Sequence, residues 1–320
     1  MGKAANYNLQ SLRAFLEVSA SGNMTSAATK LGLTQSAVSQ AIRQLEENFG
    51  AVLLDRSRRP LALTAAGIAL QRRALPLVQE AEALTSIVRR AGLTKMPDLR
   101  IGVVDSFAAT AGPRLIRGLL KMTSQLSFRS GLARDQAAAL QSRQVDMIVT
   151  SDVMDDVDGL DRYHLLDEPY LLLLPTRLRE KLQKLDLREL VANYALIRFS
   201  ARSQVGAQVE RQLRRMGVKA PRLLEVDATD ALVAMVAADL GWAIATPLCI
   251  LQVKASLSGI EALPFPGPSF VRQLYLVTRA GEYDDLPQKV ADLARTTLRD
   301  DCLPEMRKLV PWLKNQVVVG

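Results

Sequence analysis

Six side chains between residues 34 and 43 have the chemistry to hydrogen-bond nucleic acid. Thr34, Gln35, Ser36, Ser39, Gln40 and Arg43 stand in one short segment, TQSAVSQAIR. Hydroxyls, carboxamides and a guanidinium are the groups that pair with base edges and phosphate oxygens in a DNA groove. Three more guanidinium groups follow, Arg56, Arg58 and Arg59, in the run DRSRRP between two apolar stretches. Arginines at the tip of a strand–turn–strand make phosphate or minor-groove contacts.

These residues need elements that hold them on one side. Thr25–Leu31 reads as a first helix, with Thr25 as its N-cap and Ala27, Ala28 and Leu31 as its packed side. Gly32 suits the turn that ends it. Thr34 caps a second helix, and Leu33 and Val38 flank that cap as a hydrophobic staple. Val38, Ile42 and Leu45 recur at i, i+4 and i+7, which buries one face and leaves Ser36, Ser39, Gln40 and Arg43 on the other. Leu53–Leu54 and Leu61–Leu63 pair around the arginine run. Two helices, a tight turn and a basic β-wing make a winged helix-turn-helix, whose second helix enters the major groove. The competing reading, an amphipathic helix with a merely solvated face, leaves the adjacent basic wing unexplained.

Charge is distributed in the same sense. Residues 1–95 hold twelve Lys and Arg against six Asp and Glu, whereas residues 96–320 hold twenty-nine against twenty-seven. The positive excess therefore sits where phosphate binding requires it. The segment MGKAANYNLQ lacks the apolar core of an export signal. The apolar run Ala231–Val253 is interrupted by Asp239, Gly241 and Pro247, so it reads as buried core and not as a membrane span. Two distant cysteines, Cys249 and Cys302, read as reduced thiols in a cytoplasmic chain with neither a disulfide framework nor a zinc site.

Beyond residue 67 a long helix is expected over 68–91. Leu70, Ala74, Leu77, Ala81, Leu84, Val88 and Ala91 alternate at spacings of four and three, a seam suited to a second copy of the chain. Leu77, Ala81, Leu84 and Val88 are the expected dimer contacts. Pro76 marks a kink or a first turn. Residues 92–97, rich in breakers, read as a hinge.

From residue 98 strands and helices alternate. Strands are expected at Leu99–Val104, Leu126–Ser130, Val145–Val149, Tyr170–Leu174, Ala195–Phe199, Arg222–Val226, Trp242–Ala245 and Arg272–Thr278. Helices are expected at Ala111–Lys121, Arg134–Arg143, Gln204–Met216, Ala231–Asp239 and Pro287–Asp301. This is an α/β arrangement with a mostly parallel sheet. Ligands of such folds bind at the carboxyl ends of strands. Asp105, Ser106, Phe107, Thr150, Ser151, Ser200, Arg202, Thr229 and Thr246 stand at those ends. Hydroxyls and the Arg202 guanidinium suit a small oxyanion. Asp105 and Asp152 suit a ligand that also carries a positive group, so an organic acid or a zwitterion is expected. Enzyme chemistry finds no support: His164 is the only histidine, and no nucleophile elbow, HExxH or phosphate-binding glycine loop occurs. No cofactor and no metal are expected.

The first seventy residues resemble the LysR-type transcriptional regulators. Leu12, Phe15, Val18, Gly22, Thr25, Ala27, Ala28, Leu31, the run Thr34–Ser39, Ile42, Leu45, Glu46, Gly50, Leu53, Arg56, Leu63, Thr64, Ala66 and Gly67 match the family's signature in register. Leu54-Asp55 stands where the family usually has Phe and Glu, and the wing tip is slightly short. Residues 236–247, VAADLGWAIATP, are similar to the family's VAAGLGIALLP, with Asp239 in place of a glycine. The resemblance implies a DNA-binding domain over 1–67, a linker helix that forms the dimer interface, and a two-lobed effector-binding domain of the periplasmic-binding-protein type over 98–320. Lobe I would take about 98–166 and 270–302, lobe II about 167–269, with 303–320 as a C-terminal extension. It further implies a homodimer or homotetramer on a near-palindromic operator in double-stranded DNA, a small-molecule effector, and contact with RNA polymerase. An effector-independent regulator or an architectural DNA-binding protein is the alternative.

Overall fold

Asn8 opens the first helix: its Oδ1 accepts the backbone N–H and the hydroxyl of Ser11, both at 2.8 Å. The structure, a computed structural model, describes residues 7–90 and 96–320, which fall into two units, Met1–Leu93 and Thr94–Gly320. In the first unit α1 (Leu9–Ser21), α2 (Met24–Leu31) and α3 (Gln35–Phe49) precede an antiparallel pair, β1 (Leu54–Asp55) and β2 (Ala62–Leu63), and the long helix α4 (Ala65–Arg90). The cap of α2 is Asn23 and not Thr25. The Asn23 carboxamide, standing before the helix, reaches the N–H groups of Thr25 at 2.7 Å and Ser26 at 3.2 Å. Thr34 caps α3 as expected, accepting from Ala37 N at 3.2 Å. Gly22 ends α1 at φ 62°, and a Cβ there would lie 2.7 Å from Pro60 Cβ, so glycine lets the wing lie against the end of α1.

The unit's core holds Phe15, Val18, Val38, Ile42, Leu45, Leu53 and Leu54. From α4 it takes Ala74 and Val78, with Leu70 packed against it. This corrects the expected seam. The first part of the stripe packs on its own domain along i, i+4, i+8, which is the drift of a 3.6-residue helix away from a heptad. Leu77 and Leu84 stay 55% and 56% exposed, and Ala81 is half-buried. The side chain of Val88 lies outside the described residues. Pro76 sits inside α4.

The second unit begins with β3 (Met96–Val104), so residues 96 and 97 of the expected hinge are already strand, and 91–95 lie outside the described residues. Then come α5 (Asp105–Thr110), α6 (Gly112–Leu119), β4 (Thr123–Gly131), α7 (Ala133–Gln141), β5 (Met147–Thr150) and β6 (Leu160–Pro169). After them β7 (Leu171–Pro175), α8 (Thr176–Lys181), α9 (Leu187–Asn193), β8 (Leu196–Phe199), α10 (Gln204–Arg215), β9 (Leu224–Val226), α11 (Thr229–Ala237), β10 (Trp242–Ala245), α12 (Pro247–Gln252) and β11 (Ile260–Pro264) form a second layer set. The chain returns through β12 (Val271–Arg279), α13 (Leu286–Thr297), α14 (Leu303–Leu309) and β13 (Val318–Val319).

Two sheets result, in the orders β13-β6-β12-β5-β3-β4 and β11-β7-β10-β8-β9. Pairings of β3 with β4 and β5, and of β8 with β9 and β10, are parallel; the rest are antiparallel. Each sheet is a lobe. The chain passes between lobes at Tyr170 and again between β11 and β12, where Tyr170 stacks on Phe270 at 4.1 Å. The lobe boundary therefore follows Pro169, three residues later than the sequence suggested. Residues 303–320 are not an appendage, because β13 completes the first sheet against β6. Asp239 takes φ 59°, the left-handed conformation its glycine counterpart would favour, and so keeps the turn between α11 and β10. Among the described residues no helix is long and apolar enough to cross a membrane.

Candidate nucleic-acid interface and effector cleft

On α3 the side chains of Gln35, Ser36, Ser39, Gln40 and Arg43 line one concavity with Gln44 and Glu47. Gln35, Ser36, Gln40 and Arg43 are exposed, and Gln40 has no partner among the described residues. Ser39 departs from expectation. It is 9% exposed, and its hydroxyl accepts from Arg43 Nη2 at 3.4 Å. Its place one turn before Arg43 and beside Val38 turns it toward the domain, so it orients the arginine. The Ser36 hydroxyl lies 3.0 Å from that of Thr34, which ties the helix start together.

A second concavity between α3 and the wing is lined by Arg43, Arg56 and Arg58 together with Glu46 and Asp55. Glu46, a signature position to which the sequence reading gave no role, holds the wing in place. Its Oε1 accepts Leu53 N at 2.9 Å and Leu54 N at 3.4 Å, and its Oε2 accepts Arg56 Nη2 at 3.0 Å. One carboxylate thus fixes the start of the wing to the recognition helix. Arg58 pairs with Asp55 at 3.2 Å, and the Ser57 hydroxyl and N–H hold the Asp55 carboxyl below its usual range. Arg59 is exposed and has no partner among the described residues.

The second candidate site is a cleft between the two lobes, at the carboxyl ends of β3, β8 and β9. Of the expected residues it gathers Asp105, Ser106, Ser151 and Thr229. Five others stand elsewhere. Phe107 is fully buried core, because it lies on the inward side of α5. Thr150 is fully buried and accepts Asp152 N at 3.0 Å. Thr246 is fully buried and donates to Cys249 Sγ at 3.4 Å. Ser200 Oγ is taken by Arg202 N at 3.1 Å. Arg202 itself is exposed and not part of the lining, since the turn before α10 carries it outward. Asp152 also turns away, accepting Met154 N at 3.1 Å.

The residues missed are Phe199, Gln204, Asp227, Cys249 and Arg272, while Ser203, in the same strand-end run as Arg202, does line the cleft. Arg272, 2% exposed, donates from Nε to Glu168 Oε1 at 2.7 Å and from Nη2 to Ser106 Oγ at 3.1 Å. Glu168, fully buried, also accepts Leu248 N at 2.8 Å. Burial by itself lowers the Arg272 pKa, yet the Glu168 charge outweighs it and holds the guanidinium above its ordinary range. The pair neutralises itself. Asp105 and Asp227, one from each lobe, are exposed carboxylates with no partner among the described residues. The cavity measures about 60 Å³ and is small beside its neighbour. Asp105, Asp227 and Thr229 also line an adjoining 530 Å³ pocket with Ala108, Pro113, Ile116 and Phe128. The carboxamide oxygen of Gln252, in that same pocket, is buried without a donor among the described residues. Among the described residues no group of His, Cys, Asp and Glu could hold a metal ion.

A DNA-reading helix with a basic wing and a two-lobed α/β domain with an inter-lobe cleft define a ligand-responsive transcriptional regulator. Comparison with known proteins makes this specific. Residues 9–68 match the family described as bacterial regulatory helix-turn-helix protein, lysR family, and residues 95–299 match the LysR substrate binding domain. The chain belongs to the LysR family of transcriptional regulators. A probable hydrogen peroxide-inducible genes activator of Streptomyces viridosporus is 29% identical over 307 residues, 90% of this chain and 95% of that one. The uncharacterized regulator YfeR of Shigella flexneri is 26% identical over 276 residues, covering 86% and 88%. Among solved structures, ArgP from Mycobacterium tuberculosis superimposes with a TM-score of 0.62 at 22% identity, over 91% of this chain and 97% of that one. Full-length CbnR in complex with its target DNA gives 0.58 at 18%, over 91% and 99%. These two share the fold.

Proposed function

We propose that this regulator binds a near-palindromic operator as a homodimer or homotetramer and answers to a small zwitterion in the inter-lobe cleft. Gln35, Ser36, Gln40 and Arg43 read base edges, with Thr34 and Ser39 positioning them. Arg59 and Arg58 reach phosphates from the wing, and Arg56 acts through its hold on Glu46. Leu77, Ala81 and Leu84, with Val88 continuing the seam, join two copies. Contact with RNA polymerase and a cytoplasmic location follow from family membership.

One observation carries the effector class: three acceptors without donors, Asp105, Asp227 and the buried Gln252 oxygen, line the adjoining pocket. Such a set takes a cation, and a primary ammonium supplies its donors. The opposite end of the ligand has different surroundings. The helices α7 and α11, at the cleft wall, start without a side-chain cap. The nearly buried Ser151 and Thr229 side chains make no hydrogen bond among the described residues. Open helix N-termini and free hydroxyls suit a carboxylate. An ammonium and a carboxylate on one small molecule describe an amino acid or a close analogue.

Calorimetry of the full chain against a panel of amino acids, simple amines and simple carboxylates tests this. Binding confined to zwitterions, and weakened about tenfold or more by Asp105→Asn or Asp227→Asn, is the expected result. Tightened binding of a plain carboxylate in those variants would overturn the assignment. An effector-independent or architectural protein would bind none of the panel.

A further inference from the structure

Residues 298–320 leave lobe I, cross to lobe II and come back. The root is fixed on lobe I. After α13 a π-helical turn, Leu298–Cys302, carries Asp300 and Asp301, and both pair with Arg114 of α6 (Asp300 at 3.1 Å). The following helix α14 packs on α12, and its Glu305 pairs at 3.3 Å with Lys254, just beyond α12. Met306 and Leu313 are buried. Trp312 then donates from Nε1 to the Ala262 carbonyl at 2.9 Å, on β11, the outer strand of the lobe II sheet. Finally Val318 and Val319 pair with Asp167 and Leu166 of β6, Gly320 N donates to Leu165 O at 3.1 Å, and Arg299 Nη2 donates to Gly320 O at 3.2 Å.

Apart from this segment the chain joins the lobes at two crossovers, at Tyr170 and at residues 265–270, and α12 meets lobe I through α5 and the hydrogen bond from Leu248 N to Glu168. A two-strand connection is a hinge that permits closure and rotation. A third segment anchored to lobe I at both ends and to lobe II in its middle opposes that motion. For the lobes to part, the Trp312–Ala262 hydrogen bond and the Lys254–Glu305 pair must break and Trp312 must leave its seat against the lobe II edge.

We propose that residues 303–320 are a strap that holds the two lobes in one relative arrangement and sets how freely the cleft opens. The strap works through chain geometry alone, so it stands or falls independently of the effector's identity. Its anchor is Trp312, and the Lys254–Glu305 pair is a weaker second fastening.

Hydrogen–deuterium exchange of the full-length chain, without added ligand, reads the effect. Peptides over 129–135, 199–205 and 226–230 line the cleft and lie apart from the strap. In Trp312→Ala their exchange should accelerate about tenfold, while peptides of α1 to α3 keep wild-type rates. Trp312→Phe, which retains the ring but not the donor, should show a smaller rise, and Lys254→Ala a smaller one still. Unchanged cleft exchange in Trp312→Ala, with loosening confined to 303–320, would overturn the proposal. Should Trp312→Ala unfold the unit, Trp312→Phe and Lys254→Ala decide: wild-type cleft exchange in both contradicts the strap.

Discussion

At the scale of single residues the proposed reading gives Arg43 and Arg59 two different kinds of DNA contact. Arg43 rises from the middle of the recognition helix and is steadied by the Ser39 hydroxyl. A bidentate pair with a base is worth about 1–3 kcal/mol of discrimination, so Arg43→Ala should lower operator affinity roughly ten- to hundredfold and relax specificity at one position. Arg59, exposed at the wing tip, has no partner among the described residues, whereas Arg58 is held by Asp55 and Arg56 by Glu46. Arg59→Ala should weaken all duplexes alike and reduce the salt slope by about 1. Anisotropy titrations on specific and scrambled duplexes at several salt concentrations check both; a uniform loss for Arg43→Ala, or a sequence-dependent one for Arg59→Ala, would reverse the roles. In the cleft the Glu168–Arg272 pair has the opposite character. It links Ser106 of lobe I to Leu248 of α12, and removing either charge strands the other in the interior, a cost of about 3–5 kcal/mol for such pairs.

Elements differ in how openly the sequence declares them. The recognition helix was legible because its cap, staple and apolar period agree over a few residues, and the same holds for β10, whose run Trp242–Ala245 is uniformly apolar. Strand β6 was not legible. Its sequence LDRYHLLDEP carries charges at both ends, and it becomes a strand because β12 and β13 pair with it on either side. The cleft suffered similarly. Asp105, Ser106, Ser151 and Thr229 could be placed from strand ends alone, but Arg272 comes from near the amino end of the returning strand β12 and Asp227 follows a strand of only three residues. Arg202 was misplaced because one turn of loop decides whether a side chain faces in or out. The linker helix shows the same limit. Spacing alone did not reveal that Leu70 and Ala74 would pack on the domain's own core while Leu77 and Leu84 stay exposed, as the proposed dimer seam requires. Leu84→Asp places a charge in that apolar seam, at a cost of several kcal/mol if unpaired. Sedimentation at micromolar concentration should show a smaller species and loss of cooperative DNA binding. An unchanged oligomer would move the interface elsewhere on the chain.

At the scale of the whole molecule, sensing and reading are separate units, the first carrying most of the positive excess and the second close to charge balance. In the proposed reading the first offers arginines and carboxamides to phosphates and bases, and the second offers carboxylates and uncapped helices to a small zwitterion. A ligand shifts DNA binding only through a difference in its affinity for two arrangements of the protein. In this account those arrangements differ in the lobes and in the pairing of subunits. The most direct measurement is a footprint and affinity titration of the full chain on DNA upstream of its own gene, with and without each amino acid of the calorimetric panel. The expected result is a near-palindromic protected site, bound at least a thousandfold (~10³) more tightly than scrambled DNA, whose affinity or footprint length changes with at least one zwitterion and loses that response in Asp105→Asn. Binding no tighter than to scrambled DNA, or a specific footprint that no member of the panel alters, would contradict it.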